Sequence, residues 1–310
     1  MGNMKKFLMI DTFNFLHRAH HALPKTFTDK NGEPTNAVYG VTSMLINVLN
    51  QIKPQYMLAA ADGMAPAFRI QDFTGYKAHR KPMEPELESQ IPKVYEILDA
   101  FKIKRVVIEG YEADDIIATA VRRFESKTDI IVVSNDRDLW QLASKNVMIM
   151  LPTTKGDAEW LGAKEVNARL GFDPAKIADY KGLRGDASDN IPGVFGIGEK
   201  TATTLIQQYG SIEEIYKQID TVKPDSLREK LLNSYETALM SKKLAQLIYD
   251  VPASFDLEDC KYSDFNRIEV KKVLERYNFK SLIRRLGFDD GGDKKPSKKE
   301  ESSKDQLGLF

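Results

Sequence analysis

Cysteine is nearly absent from this sequence: Cys260 is the only one in 310 residues. A lone thiol excludes an internal disulfide framework and a cysteine-built zinc site, so Cys260 is expected to be a small, half-buried packing residue. No apolar run comes near the roughly 18 residues a membrane-spanning helix requires. Met1 to Lys6 lacks the basic start and apolar core of a secretory signal, which makes the cytoplasm the expected location. An excess of one charge is missing too, since 45 Lys and Arg face 45 Asp and Glu. A zero sum argues against a nucleic-acid partner unless the acids are gathered in one place.

Nine acids are so gathered, in five short blocks. Asp11 follows FLMI, Asp62 follows YMLAAA, Glu112, Asp114 and Asp115 follow RVVIEGY, Asp136 and Asp138 follow DIIVVSN, and Asp186 and Asp189 lie in GDASDN. The first four blocks each close a stretch of apolar residues that reads as a buried strand. Up to about residue 150 such strands alternate with helical patterns, the signature of an α/β fold with a mostly parallel central sheet flanked by helices. Ligands of such sheets sit beyond the carboxyl ends of the strands, where these acids fall. Glu112, Asp114 and Asp115 also open an apolar helix, IIATAVRRF, whose positive end favours them. After about residue 163 the pattern turns helical.

Carboxylates crowded at one sheet edge repel one another, so the cluster calls for divalent cations. Hard ions such as Mg²⁺, or Mn²⁺ in its place, prefer oxygen donors, and none of the histidines (His17, His20, His21, His79) lies in an acidic block. Two ions roughly 4 Å apart activate water and relieve charge on both the attacked phosphoryl group and the leaving oxygen. Any one of these acids is more simply a solvated charge or helix cap; five blocks, four of them at strand ends, are not. A haloacid-dehalogenase-type phosphatase would need a second Asp where Phe13 stands, and a two-component receiver would need an acidic pair near the start of the chain. Setting the nine acids aside leaves 36 against 45 basic residues, so the remaining surface suits an anionic polymer.

GDASDNIPGVFGIGEKTATTLIQQYG is the second informative segment. Glu199 separates Gly198 from Lys200, which breaks a nucleotide-binding P-loop, and Thr201 stands where a GxGxxG turn needs its last glycine. Gly193, Gly196 and Gly198 read better as a tight hairpin between helices, with Lys200 and Thr201 at the following helix start. Exposed amides there would cradle a duplex phosphate without reading bases.

Taken in order, DGMAPAFR, GYKAHR, GYEADD, SNDRDLWQL, GDASDNIPG and GIGEKTA resemble the flap endonuclease family, and within it the 5′ nuclease domain of bacterial DNA polymerase I. The resemblance runs from about Phe7 to Phe288. It implies a PIN-like metal nuclease over 1–175, with a helical arch at about 64–95 that a free 5′ end enters. It further implies a helical domain over 176–288 whose helix, three-residue turn, helix unit grips duplex DNA, often around a K⁺ ion. The nine acids match the family's ligands for two metal ions, acting directly or through water. Lys77 and Arg80 match its basic pair and are expected to stabilise charge on the scissile phosphate. Within the arch segment, where rings alternate with cations, Arg69 is expected to position the strand and Tyr76 to stack on it. Thr12 departs from the family's glycine and His17 from its aromatic residue.

Residues 289–305 (DDGGDKKPSKKEESSKD) have no apolar anchor and read as a disordered linker. The chain then turns apolar, and Gln306, Leu307, Gly308, Leu309 and Phe310 (306–310) resemble the peptide by which bacterial replication proteins dock on the sliding clamp. A monomeric bacterial enzyme, associated with the nucleoid, is therefore expected. Its substrates would be branched or nicked duplex DNA with a free 5′ end and RNA primers, and a polymerase and ligase would complete the repair. Two other readings are a 5′ exonuclease with no replication role and a junction-binding clamp adaptor that does not cut; the full acid set argues against the adaptor.

Overall fold

The computed structural model describes residues 4–63, 68–152, 158–262 and 265–288. Its centre is a six-stranded sheet formed by β1 (Lys6–Asp11), β2 (Tyr56–Asp62), β3 (Lys104–Ile108), β4 (Asp129–Val133), β5 (Val147–Leu151) and β6 (Glu159–Leu161). The strands lie in the order β3-β2-β1-β4-β5-β6, all neighbours parallel except β5 with β6. β1 and β4 are apolar almost throughout because both sheet faces are covered. Period-two alternation sorts their side chains into two cores. Phe7, Met9, Ile130 and Val132 point to one face, and Leu8, Ile10, Ile131 and Val133 to the other.

The second of these faces is covered by α1 (Thr12–Ala22), α2 (Asn36–Ile52) and later α5 (Ile91–Ala100), which bury Phe15, Leu45 and Ile97. Between β2 and α5 lie two short helices, α3 (Arg69–Asp72) and α4 (Pro85–Glu88). The first face is covered by α6 (Ala113–Phe124), whose Ile116, Ile117 and Ala120 are fully buried. Next come α7 (Ala163–Leu170), α8 (Ile177–Arg184), α9 (Glu199–Tyr209), α10 (Ile212–Lys217), α11 (Asp225–Leu232), α12 (Tyr235–Ala245), α13 (Arg267–Arg276) and α14 (Lys280–Arg285). α13 and α14 return to the α2–α5 side through Val270, Leu274 and Leu282. A mostly parallel sheet flanked by helices, with a helical region after it, is the architecture expected from the sequence.

Successive strands build outward from β1 to β2 and β3, and then the chain crosses to place β4 on the other side of β1. That reversal opens a crevice at the carboxyl ends of β1 and β4. Among the described residues no helix is long and apolar enough to cross a membrane. Cys260 is buried rather than half-buried, with Met57 donating its amide to the Cys260 carbonyl, and burial pushes its thiol up to about 12. The linker and the clamp-like tail lie outside the described residues, as do residues 64–67 of the arch.

Candidate active site

At the sheet edge, each acid is aimed by the backbone that follows its strand. Asp11 ends β1 and caps α1, accepting the Asn14 amide at 3.0 Å. Asp62 ends β2 and accepts the Ala113 amide at 2.7 Å, which ties that strand to the start of α6. Glu112 is the N-cap of α6, and Asp114 sits in its first turn. Beyond β4, the Ser134 hydroxyl reaches Asp11 at 3.4 Å and accepts the Asp136 amide at 3.0 Å. Asp11, Asp62, Glu112, Asp114 and Asp136 line one cavity of about 860 Å³, whose lining also includes His17, Arg18, His21, Lys77, Arg80 and Lys81.

Crowding shows in the acidities. Burial, then the nearby Asp62 and Asp136 carboxylates, push Asp11 up to about 7, although the Asn14 amide pulls the other way. Asp114 is raised well above the ordinary carboxylate range by burial and by Asp136, Asp11, Asp138 and Glu112 around it. Asp62 is raised as well, chiefly by burial. A carboxyl whose pKa rises on folding holds its proton more tightly in the folded state, so stability is fullest below its unfolded value and declines as pH rises. The metal-free protein is accordingly expected to lose stability between about pH 4 and about pH 7, the span from the ordinary carboxylate value of 3.8 to that of Asp11. Thermal melts in EDTA across this range test the sign; a melting temperature that climbs towards pH 7 contradicts it.

The remaining acids are held by cations. Lys181, buried on α8, bridges Asp138 and Asp186, the latter at 2.5 Å. Burial drives Asp138 up to about 6 against the pull of Lys181, whereas at Asp186 the effect of burial is outweighed by Lys181 and Ser188, which hold it below its ordinary value. Lys77 donates to Glu112 at 2.6 Å, and Arg80 to Asp189 at 2.5 Å. Lys77 also donates its amide to the Asp189 carbonyl at 2.9 Å, so the segment between α3 and α4 meets the GDASDN loop directly. That loop closes through the Asp186–Ile191 bridge. Gly193 makes the closure possible: its φ is +65°, and a Cβ there would lie 2.2 Å from the Gly185 nitrogen.

Three sequence expectations need correcting. Asp115 does not face the cavity; it is fully buried, and both its oxygens accept from Arg69 at 2.8 Å. Arg69 cannot position a strand, because its guanidinium is buried with all five donors used, on Asp115 twice, Glu112, and the Leu244 and Gln246 carbonyls. Tyr76 has no face free to stack on a base; it is buried, and its hydroxyl donates to Glu112 at 3.1 Å. Sequence reasoning missed Lys181, Ser134 and Asn14. A lysine within a helix gives no sign that it will be buried between two acids.

Two adjoining family models match the chain, the 5′-3′ exonuclease N-terminal resolvase-like domain over residues 6–171 and the 5′-3′ exonuclease C-terminal SAM fold over 172–268. The chain belongs to the 5′-3′ exonuclease family. It is 41% identical to DNA polymerase I of Caldicellulosiruptor bescii over 289 residues, which are 92% of this chain and 34% of the polymerase. For DNA polymerase I of Bacillus subtilis the identity is also 41%, over 93% of this chain and 33% of the relative. The chain thus spans about a third of the length of these polymerases. Among solved structures, zinc-bound 5′-exonuclease of bacteriophage T5 superposes with a TM-score of 0.65 at 21% identity, covering 88% of this chain and all of that one. The catalytic core of Rad2 in complex with a DNA substrate gives 0.58 at 15%, covering 91% of this chain and 93% of that one.

A divalent cation fits the family member's cavity by donor chemistry. Five carboxylates, with no cysteine among the lining residues, supply hard oxygen ligands, and the raised pKa values of Asp11, Asp62 and Asp114 mark a site where carboxylate charge is unfavourable without a cation. Among the described residues no three acids already converge on one point, while Lys77, Arg80 and Lys181 occupy Glu112, Asp189, Asp138 and Asp186. Cation binding therefore calls for side-chain rearrangement.

Proposed function

We propose that this chain is a divalent-cation-dependent 5′ nuclease that hydrolyses phosphodiesters at 5′ flaps, nicks and 5′ ends of DNA and at RNA primers. The supporting observation is one cavity lined by Asp11, Asp62, Glu112, Asp114 and Asp136 together with Lys77 and Arg80. Two Mg²⁺ or Mn²⁺ ions held by the acids supply an activated water and charge relief on the phosphoryl oxygens. Lys77 and Arg80 bind the scissile phosphate, exchanging Glu112 and Asp189 for a phosphate oxygen and holding the strand beside the carboxylates. Asp138, Asp186 and Asp189, now paired with Lys181 and Arg80, would supply the remaining carboxylate oxygens for the ions. Arg69 and Asp115 keep the arch base fixed to α6 while this happens.

Duplex DNA is gripped by the segment joining α8 and α9, where Gly196, Gly198, Lys200 and Thr201 approach a phosphate, with K⁺ as an added bridge; Gly193, expected beside them, is buried and donates its amide to the Ser241 hydroxyl at 3.0 Å, so it shapes the loop instead. At Gly198 a Cβ would meet nothing within 4 Å and the backbone is extended. The fold does not need glycine there, so the space serves an approaching phosphate. Gly198→Ala is expected to leave the melting temperature unchanged or slightly higher and to weaken binding to nicked duplex by roughly tenfold. Unaltered binding in an anisotropy titration sinks this use of the glycine.

Okazaki-fragment maturation and repair is the cellular task that suits such an activity, carried out in the bacterial cytoplasm at the nucleoid, with a polymerase and a ligase closing the nick. Gln306, Leu307, Leu309 and Phe310 dock the chain on the sliding clamp and raise its concentration at DNA. The test of cutting is a 5′-labelled flap incubated with Mg²⁺ and with EDTA. Release of short oligonucleotides only with the metal supports flap cleavage, mononucleotides alone indicate a pure exonuclease, and binding without cleavage refutes the nuclease reading. Independently, Mn²⁺ at about a hundred times its Kd is expected to raise the melting temperature by about 5 °C, and no shift at all would count against a metal site.

A further inference from the structure

The turn at the tip of the α8–α9 segment presents one large apolar side chain. Val194 and Ile197 are buried, at 2% and 4% exposure, while Phe195 between them is 92% exposed. This ring is not on a loose loop. The Val194 amide donates to the Leu183 carbonyl at 2.8 Å and the Ile197 amide to the Val194 carbonyl at 3.0 Å, so the turn is pinned on both sides of Phe195. Lys230, on α11, lies across the next residue and donates to the Gly196 carbonyl at 3.3 Å. Lys200 and Arg184 are exposed on the same segment. Of the acids between Arg184 and Lys200, Asp186 and Asp189 are paired with Lys181 and Arg80. A pinned, exposed ring on a segment that also carries exposed cations suits a partner that is both anionic and apolar.

We propose that Phe195 is an apolar contact for the duplex, lying against deoxyribose faces between the phosphates that Lys200 and Lys230 reach. The inference rests on the duplex-gripping role proposed above and adds to it a contact of different chemistry. Phosphate contacts release counterions and weaken steeply with salt, whereas burying a ring against sugars releases none. Phe195 therefore sets how tightly the duplex arm is held, independently of ionic strength.

The experiment is an anisotropy titration of a labelled nicked duplex with the full chain, in Ca²⁺ to suppress cleavage, at several salt concentrations. Wild type, Phe195→Ala, Phe195→Leu and Lys200→Ala are compared, with melting temperatures confirming that each is folded. Phe195→Ala is expected to raise Kd by roughly tenfold with the slope of log Kd against log salt unchanged, and Phe195→Leu to recover most of the loss. Lys200→Ala is expected to reduce that slope by about one. Equal Kd for wild type and Phe195→Ala, or a changed slope in Phe195→Ala, overturns the inference while leaving the duplex-gripping reading in place. Absence of duplex binding by the wild type overturns both.

Discussion

Asp114→Asn is expected to lower flap cleavage by on the order of 10³-fold without destabilising the metal-free protein. The two halves of this result share one cause. Asp114 is buried where Asp136, Asp11, Asp138 and Glu112 all act on it, and its pKa is raised well above the ordinary carboxylate range. Such a charge is unfavourable for folding on its own and useful only when cations neutralise it. Asparagine keeps the shape and removes the charge, so repulsion within the cavity falls while a ligand oxygen loses its anionic character. Single-turnover cleavage with Mg²⁺ and thermal melts in EDTA measure the two halves separately. Cleavage at the wild-type rate removes Asp114 from the metal machinery. A clearly lower melting temperature in EDTA would show instead that its charge is used to hold the fold.

Arg69→Met behaves in the opposite way: it is expected to cost about 3–5 kcal/mol of stability. Methionine fills similar space but leaves Asp115, fully buried, without the two 2.8 Å bonds that compensate its charge. It also orphans the Leu244 and Gln246 carbonyls, which accept from Arg69 at 2.9 Å. The loss reaches beyond one pair because Arg69 joins the base of the arch, the first turn of α6 and the end of α12. Asp115 in turn accepts the Ile248 amide at 3.0 Å. Arg69→Lys is not expected to rescue, since one ammonium cannot reproduce a planar fork that spends five donors. Adding Asp115→Asn to Arg69→Met should recover part of the loss, because the orphaned charge is then gone. Urea denaturation gives the magnitudes. A loss under about 1 kcal/mol would mean that the pair is solvated, and a defect confined to DNA binding would restore Arg69 to the strand-positioning role.

These two acids, one residue apart, mark the limit of what could be read in advance. DGMAPAFR through GIGEKTA carried the family, and the apolar runs before Asp11, Asp62, Glu112 and Asp136 placed those residues at strand ends. Such features are local: a run of strand length buried on both faces reads as apolar, and a helix start draws acids, whatever lies elsewhere in the chain. The direction each acid faces is not local. Adjacent residues on a helix are turned by about 100°, so Asp114 looks into the cavity while Asp115 looks into the protein, and GYEADD gives no means of telling which. The partners that decide it, Arg69 and the Leu244–Ile248 stretch, are 46 and more than 100 residues away in sequence.

Lys181 and Tyr76 teach the same lesson. Each looked ordinary or solvent-facing by its neighbours, and each was buried among acids by packing between elements far apart in the chain. By itself the sequence determined the fold class, the family and the gathering of acids at one sheet edge, because burial periodicity and strand ends are properties of short segments. Only the tertiary structure decided which carboxylates meet the cavity, which are locked to Arg69 or Lys181, and that Phe195 stands outward. Those outcomes depend on side-chain direction and long-range packing, to which the order of residues along a short segment is blind.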